Sequence, residues 1–261
     1  MTGAGERQSG SEIVTAALLV IGDEILSGRT KDKNIGYTAE YLTAIGIDLK
    51  EVRVVPDEEP EIVAALNALR VCYTYVFTTG GIGPTHDDIT ADAVAKAFGV
   101  PIDYHPQAVE ILRARLAQTG GVMNEARMRM TRMPAGAQLV LNKISAAPGF
   151  RIENVIVMAG IPQVMQAMLD YVAPQLKTGA KMLSESVQAN CREGDIGTEL
   201  GVIAKAHPEV IIGSYPFMNE RGANAHVVMR SRDQKKLTAV KGEVEAMLKR
   251  VHAQLAAGQK A

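Results

Sequence analysis

The sequence has little of what several classes of protein depend on. It contains no tryptophan and two cysteines, and aromatic residues make up 4% of its 261 residues. The two cysteines lack the spacing of a disulfide framework or a zinc site, so we expect Cys72 and Cys191 to be buried, reduced thiols. The 28 Lys and Arg against 29 Asp and Glu leave a formal net charge of -1, which provides no basic field for nucleic acid or an acidic membrane.

Long apolar segments are also lacking. No stretch approaches the ~20 apolar residues of a membrane span. Residues 1–12 are rich in Gly, Ser and Thr and have no basic segment followed by an apolar run, which a signal peptide requires. We therefore expect a disordered tail at 1–12 and a cytoplasmic protein with no membrane partner.

The sequence does contain a regular alternation of apolar runs and amphipathic segments. Residues 16–21 are typical of a strand buried on both faces of a parallel sheet, and residues 31–45 repeat apolar side chains at helical spacing. The same order recurs, with strands at 48–55 and 71–78, a helix that begins after Asp57 and a helix at 88–98. Repeated units of this kind predict an α/β fold, a three-layer α/β/α domain with a mostly parallel sheet.

The second half of the chain predicts the end of this domain and a smaller one. Helices are expected at 106–117 and from Pro162 to Tyr171, and strands at 138–141, 149–152 and 155–158. At 125–133 methionines stand among arginines, and we expect these methionines to serve as adaptable packing. Pro, Gly and polar residues at 174–181 indicate a linker. The order strand, helix, strand, strand, helix then predicts a small α+β domain. We place the main domain at 13–175 and the second at 180–255.

Residues 78–90, Thr-Thr-Gly-Gly-Ile-Gly-Pro-Thr-His-Asp-Asp-Ile-Thr, join the third strand to a helix. Its glycines permit positive φ and close approach of backbone N–H groups to an anion, and the helix directs its positive end toward the loop. The loop matches neither common nucleotide motif, so it predicts a phosphate site without fixing the ligand. The residues expected to contribute are Thr79, Gly80, Gly81, Gly83, Thr85 and Thr90.

Acidic residues follow three of the predicted strands. Asp23, Asp57 and Asp88 should converge, because ligands of open parallel sheets bind outside the carboxyl ends of the strands. Carboxylates near a phosphate are compatible if Mg²⁺ or a similar divalent cation lies between them. The alternative, which stays open, is structural: Asp57 and Asp87 would cap helices, and Asp88 would lie in a first turn.

The loop at 78–90 resembles the signature of the molybdopterin-binding domain that the MogA, MoaB and MoeA proteins of molybdenum-cofactor synthesis share with the competence/damage-inducible CinA family. Further motifs follow the order of the CinA N-terminal region: Gly22-Asp23-Glu24-Ile25-Leu26, Asn34, Val55-Pro56-Asp57, Asn142, Ala147-Pro148-Gly149-Phe150 and Gly160-Ile161-Pro162. Ile212-Gly213-Ser214-Tyr215-Pro216 is similar to the second CinA domain, which also occurs in animal FAD synthase. The resemblance spans residues 14 to 250 and does not include the amidase domain that ends full-length CinA.

The resemblance implies a phosphorylated ligand of the molybdopterin, ADP-ribose or FAD class. In the MogA and MoaB branch the fold binds molybdopterin, and some members adenylylate its phosphate with Mg²⁺-ATP; the CinA branch is similar to a metal-dependent pyrophosphatase for ADP-ribose or FAD. Asp57 and Asp88 match the MogA acidic pair and are the implied metal residues, and they are candidate catalytic residues together with Asp23. We also expect a homo-oligomer and no nucleic-acid partner. The candidate ligand-binding residues are Gly22, Asn34, Thr79, Gly80, Gly81, Gly83, Pro84, Thr85, Asp87, Thr90, Asn142, Pro148, Gly149, Gly160 and Pro162.

Two positions depart from the CinA pattern. Val164 stands where CinA relatives usually carry a glutamate, and Ser145 stands where a glycine is usual. If that glutamate serves the metal or the water, hydrolysis is weakened or lost here. A non-catalytic protein that binds molybdopterin or a nucleotide is therefore the alternative to an enzyme.

Overall fold

The computed structural model describes residues 12–145, 147–220 and 222–258. The chain divides between Gly179 and Ala180 into two compact units. Apart from Glu12, the predicted tail lies outside the described residues. No helix in the described part has both the length and the apolar composition that crossing a bilayer requires.

A six-stranded sheet forms the middle of the first unit. Its strands run in the order β2-β1-β3-β8-β7-β6, and the first four are parallel, whereas β7 and β6 join them in antiparallel pairs. A separate antiparallel pair is formed by β4 and β5. The strands are β1 (Val14–Ile21), β2 (Ile47–Val55), β3 (Tyr75–Thr79), β4 (Ile102–Tyr104), β5 (Arg132–Pro134), β6 (Gln138–Val140), β7 (Gly149–Ile152) and β8 (Val155–Met158).

Helices cover both faces of this sheet. Alternate side chains of β1 enter two apolar cores: Leu18 packs on the side of α2 and α7, and Leu19 packs on the side of α3, α4 and α5. The predicted three-layer α/β/α domain with a mostly parallel sheet is thus confirmed. The helices are α1 (Asp23–Leu26), α2 (Asn34–Ala44), α3 (Glu59–Cys72), α4 (Thr90–Phe98), α5 (Pro106–Thr119), α6 (Glu125–Arg129) and α7 (Pro162–Val172).

The start of the third strand was predicted wrongly. Helix α3 continues to Cys72, and β3 begins only at Tyr75. Leu69 is fully buried in the helix, whereas Val71 is 78% exposed, so the apolar run Val71-Cys72 belongs to the outer face of the last helical turn. The expectation that both cysteines are buried is therefore wrong for Cys72, which is exposed, and right for Cys191.

Residues 125–133, where methionines stand among arginines, contain both a helix and a strand. The helix ends at Arg129, and Arg132–Pro134 forms β5. The hydroxyl of Thr131 donates to the Met128 carbonyl at 2.7 Å, and this bond competes with continuation of the helix. Methionine and arginine spacing alone gave no sign of the change.

The second unit is a small α+β structure. An antiparallel sheet in the order β10-β11-β9 packs against two helices around a core that includes Val227, Leu237 and Val244. This confirms the predicted class of the smaller domain. Its elements are β9 (Leu183–Gln188), α8 (Glu193–Ala206), β10 (Ile211–Asn219), β11 (Gly222–Ser231) and α9 (Gln234–Gly258).

Candidate functional site

Four loops meet at one edge of the large sheet. Strands β2, β1, β3 and β8 are adjacent and parallel, and their registers align Ile21 with Val55 and Thr79 with Met158. The loops that follow them therefore leave the sheet at a common level. Residues of the loops after β1, β3 and β8 line a cleft of about 510 Å³, among them Glu24, Gly80, Gly83, Pro84, Asp88, Gly160 and Pro162.

The turn after β3 requires glycine at two successive positions. Gly80 has a φ of 106°, and a Cβ added there would lie 2.1 Å from the Ile21 carbonyl oxygen. Gly81 has a φ of 65°, and its Cβ would lie 2.1 Å from Oγ1 of Thr90. Thr90, buried at the start of α4, closes the turn because its hydroxyl donates to the Gly80 carbonyl at 3.0 Å and its N–H donates to the Gly81 carbonyl at 3.0 Å.

Asp88 braces the rest of this loop. Its carboxylate accepts from the Gly83 N–H at 2.6 Å, from the Thr85 N–H at 2.8 Å and from the Thr85 hydroxyl. A Cβ at Gly83 would lie 2.6 Å from Asp88 Oδ2, so a side chain there would displace the carboxylate. The Gly83 N–H and the Thr85 hydroxyl, both predicted to hold a phosphate, thus hold the Asp88 carboxylate in this structure.

Asp57 lies within a group of negative charges. Its Oδ2 accepts from the Asp23 N–H at 2.9 Å, and the Gly22 N–H donates to the Val55 carbonyl at 3.1 Å, which joins the loops after β1 and β2. Partial burial raises the pKa of the Asp57 carboxyl above its usual range; the hydrogen bond from Asp23 opposes this, and the charges of Glu24, Asp23 and Asp87 raise the pKa further. The structure brings Asp57 close to Asp23 and Asp87, while the Asp88 carboxylate is directed into its own loop.

The raised pKa predicts that ionised Asp57 destabilises the folded state. The penalty is fully present above the folded pKa and is absent below the unfolded value of about 3.9. We expect Asp57→Asn to have a higher Tm than wild type at pH 7, because the amide oxygen can still accept from Asp23, and the difference should vanish as the pH falls below about 4. Melting curves at several pH values measure this, with Glu58→Gln as an exposed control. A Tm difference that does not change with pH would contradict the prediction.

Asn34 connects α2 to the loop after β8. Its Nδ2 donates to the Gly160 carbonyl at 2.8 Å, and Asp32 fixes the start of the helix by accepting from the N–H groups of Asn34 and Ile35. Asn34 and Thr79 line a second cavity of about 220 Å³, next to Pro162. Among the described residues, neither Oδ1 of Asn34 nor Oγ1 of Thr79 has a hydrogen-bond partner.

Three other predicted ligand-binding residues lie in structural positions. Asn142 organises the loop between β6 and β7: its Oδ1 accepts from the Ser145 N–H at 2.7 Å, and its Nδ2 donates to the Ala147 carbonyl at 2.8 Å. Pro148 and Gly149 are buried. Gly149 allows β8 to approach, since its Cβ would lie 2.2 Å from the Val157 carbonyl oxygen.

Two residues in or beside the cleft were not among the sequence candidates. Glu24 lines it from α1, where we had no prediction of a helix. Arg129, at the end of α6, donates from Nη2 to the Asp88 carbonyl at 3.3 Å. The sequence held no signal for Arg129, because it stands among arginines that face elsewhere and lies 41 residues from its partner.

The predicted metal stays a prediction. No group of three or more His, Cys, Asp or Glu side chains in the described part of the chain is arranged to hold an ion. Mg²⁺, however, is usually bound by one or two carboxylates together with phosphates of the ligand. The mutual repulsion around Asp57 is the kind of environment that a cation relieves, so the oxygen donors present here suit Mg²⁺.

Comparison with known protein families matches each of the two units to a separate family. Residues 17–178 match the family described as a probable molybdopterin binding domain. The chain belongs to this family. Residues 181–255 match the domain described as the FAD synthase middle domain. The chain is thus a molybdopterin-binding-type domain followed by a domain of the FAD synthase type, in the order that the CinA resemblance implied.

Individual relatives cover different parts of this arrangement. A protein of Archaeoglobus fulgidus is 31% identical over 231 residues, which are 88% of this chain and 96% of that protein. A probable FAD synthase of Caenorhabditis briggsae is 27% identical over 94% of this chain and 51% of its own length. The crystal structure of CinA from Thermoplasma acidophilum covers 62% of this chain and 98% of its own, with a TM-score of 0.58 and 27% identity. The CinA N-terminal-like fold of the first domain is confirmed.

Proposed function

We propose that the chain binds a phosphorylated pterin or nucleotide in the cleft at the carboxyl ends of β1, β2, β3 and β8. The observation that carries this is the turn at Gly80 and Gly81, where the Ile21 carbonyl oxygen and the Thr90 hydroxyl leave no space for a Cβ. Such a turn lets main-chain N–H groups approach an anion. Asp23 and Asp57, which follow the neighbouring strands β1 and β2, offer oxygen ligands to a cation.

A divalent ion such as Mg²⁺ would be shared between this acidic group and the ligand. Asp57 is the best placed to hold it, because its neighbours Asp23, Glu24 and Asp87 add negative charge around it. When bound, the ion would neutralise phosphate charge. Asp88 would hold the loop in shape and reach the ion only if its carboxylate leaves Gly83 and Thr85.

The second domain favours a dinucleotide of the FAD class as the ligand. Its match to the FAD synthase middle domain and the likeness of nearly the whole chain to a probable FAD synthase both support this. The chemistry implied by the CinA branch is cleavage of a pyrophosphate by water, and the products from FAD would be AMP and FMN.

The test is to incubate the full chain with Mg²⁺ and either FAD or ADP-ribose and to measure AMP by chromatography. We expect AMP to form with Mg²⁺ and to be abolished by EDTA, because phosphoryl chemistry in a site of this charge depends on the cation. Calorimetry on the same samples measures binding. Binding without AMP excludes the hydrolase, and the absence of both overturns the proposed function.

A non-catalytic binding protein is the second candidate, and Val164 favours it. Val164 is 5% exposed and packs with Met165 and Met168 in the core beneath the cleft, although it also lines the cleft wall. No carboxylate stands at this position to serve an ion or a water molecule. Tight FAD binding that leaves the dinucleotide intact is the result this candidate predicts.

A further inference from the structure

Arg129 has a donor without a partner next to the loop at 78–90. Its Nε is buried and has no hydrogen-bond partner among the described residues, while its Nη2 donates to the Asp88 carbonyl at 3.3 Å. A buried charged donor without a partner is costly, and in native proteins it points to a missing ligand or water molecule.

The space next to Arg129 adjoins the candidate cleft. A cavity of about 20 Å³ is lined by Arg129 together with Gly81, Ile82, Gly83 and Asp88, and the last four also line the cleft of about 510 Å³. This volume holds about one oxygen-sized group. The N–H groups of Gly81 and Ile82 make no hydrogen bond to a protein acceptor within the described residues. Together with Nε of Arg129, three donors without partners therefore belong to residues that line this cavity.

The charges around the cleft give Arg129 a specific role. The described residues that line the cleft include Glu24 and Asp88 but no Lys or Arg. Of the other arginines nearby, Arg132 is paired with Asp92, with contacts of 2.6 and 3.2 Å, and Arg127 donates to the Val122 carbonyl. Among the described residues, Arg129 is therefore the guanidinium at this wall that forms no salt bridge, although Asp88 and Asp92 line the same cavity.

We propose that Arg129 binds a phosphate oxygen of the ligand in the small cavity beside Gly81 and Ile82. This contact would make the cleft prefer phosphorylated compounds. This inference rests on the proposed function. Guanidinium groups suit phosphate because they remain charged and present several donors in one plane. Lys31 and Lys33 line the second cavity but are exposed. Water screens their charges, so they would attract a phosphate less strongly than a partly buried guanidinium.

The experiment compares FAD with riboflavin, which carries the same flavin without phosphate. Calorimetry on the full chain would measure both ligands with wild type, Arg129→Met, Arg129→Lys and the control Arg127→Met. We expect Arg129→Met to weaken FAD binding about 10-fold or more and to leave riboflavin binding and Tm unchanged. Arg129→Lys should keep part of the affinity for FAD, and Arg127→Met should keep all of it.

Each other result counts against the proposal. If Arg129→Met binds FAD as wild type does, Arg129 does not contact the phosphate. If it loses FAD and riboflavin equally and melts at a lower temperature, Arg129 only braces the loop. If wild type binds neither FAD, ADP-ribose nor inorganic phosphate, the proposed function fails first and this inference fails with it.

Discussion

Asp57→Asn is expected to lower the Mg²⁺-dependent affinity for FAD by about 10- to 100-fold, since a charge-assisted contact contributes about 1.5–3 kcal/mol. Asp57 is surrounded by the charges of Asp23, Glu24 and Asp87. The substitution therefore removes one negative charge from the group that would attract the ion. Calorimetric titrations of FAD with Mg²⁺ and with EDTA measure the effect. Any AMP formation should fall in parallel.

Asp57 is a cleaner test of the acidic site than Asp88. In Asp88→Asn, an amide group would replace one of two carboxylate oxygens that accept from Gly83 and Thr85, so the loop itself would change. Asparagine at 57 can still accept from the Asp23 N–H. Glu58→Gln, which removes an exposed charge next to it, is the control. Equal FAD affinity of Asp57→Asn and wild type in Mg²⁺ would exclude Asp57 as a metal residue.

Gly80→Ala is expected to destabilise the first domain by about 2–6 kcal/mol, the sum of backbone strain and overpacking. The new Cβ would lie 2.1 Å from the Ile21 carbonyl oxygen, which is main chain and cannot move without shifting β1. The same change would disturb the bond from the Gly80 N–H to the Met158 carbonyl, 3.2 Å long. Chemical denaturation followed by circular dichroism measures the loss.

Gly99→Ala separates crowding from the effect of positive φ. Gly99 ends α4 with a φ of 65°, and no atom lies within 4 Å of an added Cβ. Its substitution should cost about 1–2 kcal/mol, the strain of a left-handed residue alone. If Gly80→Ala is no worse than Gly99→Ala, the close packing at the start of the loop does not have the importance assigned to it.

The large sheet could be predicted because its residues repeat a simple pattern. The apolar run at 16–21 matches a strand whose two faces are both buried, as Leu18 and Leu19 show. Boundaries were less predictable. Val71 and Cys72 look like the start of a strand, but the helix before them continues since Leu69 is held in the core, and apolar character alone does not distinguish the two outcomes.

Part of the site could be predicted in the same way. Topology brings the ends of neighbouring parallel strands together, so the nearness of Asp23 to Asp57 followed from their positions after β1 and β2. The direction of a side chain did not follow. Asp88 was expected to face an ion, and the structure turns its carboxylate toward Gly83 and Thr85. Local hydrogen bonds decide such directions, and spacing along the chain does not record them.

The sequence alone determined the class of fold, the family resemblance and the loop at 78–90, because periodicity and glycine positions are local properties. Only the tertiary structure decided which donors in that loop are free. In the folded chain the N–H groups of Gly83 and Thr85 donate to the Asp88 carboxylate. Arg129, which lies 41 residues along the chain from Asp88, donates to the Asp88 carbonyl. A contact between distant residues depends on how the layers pack, which no local pattern encodes.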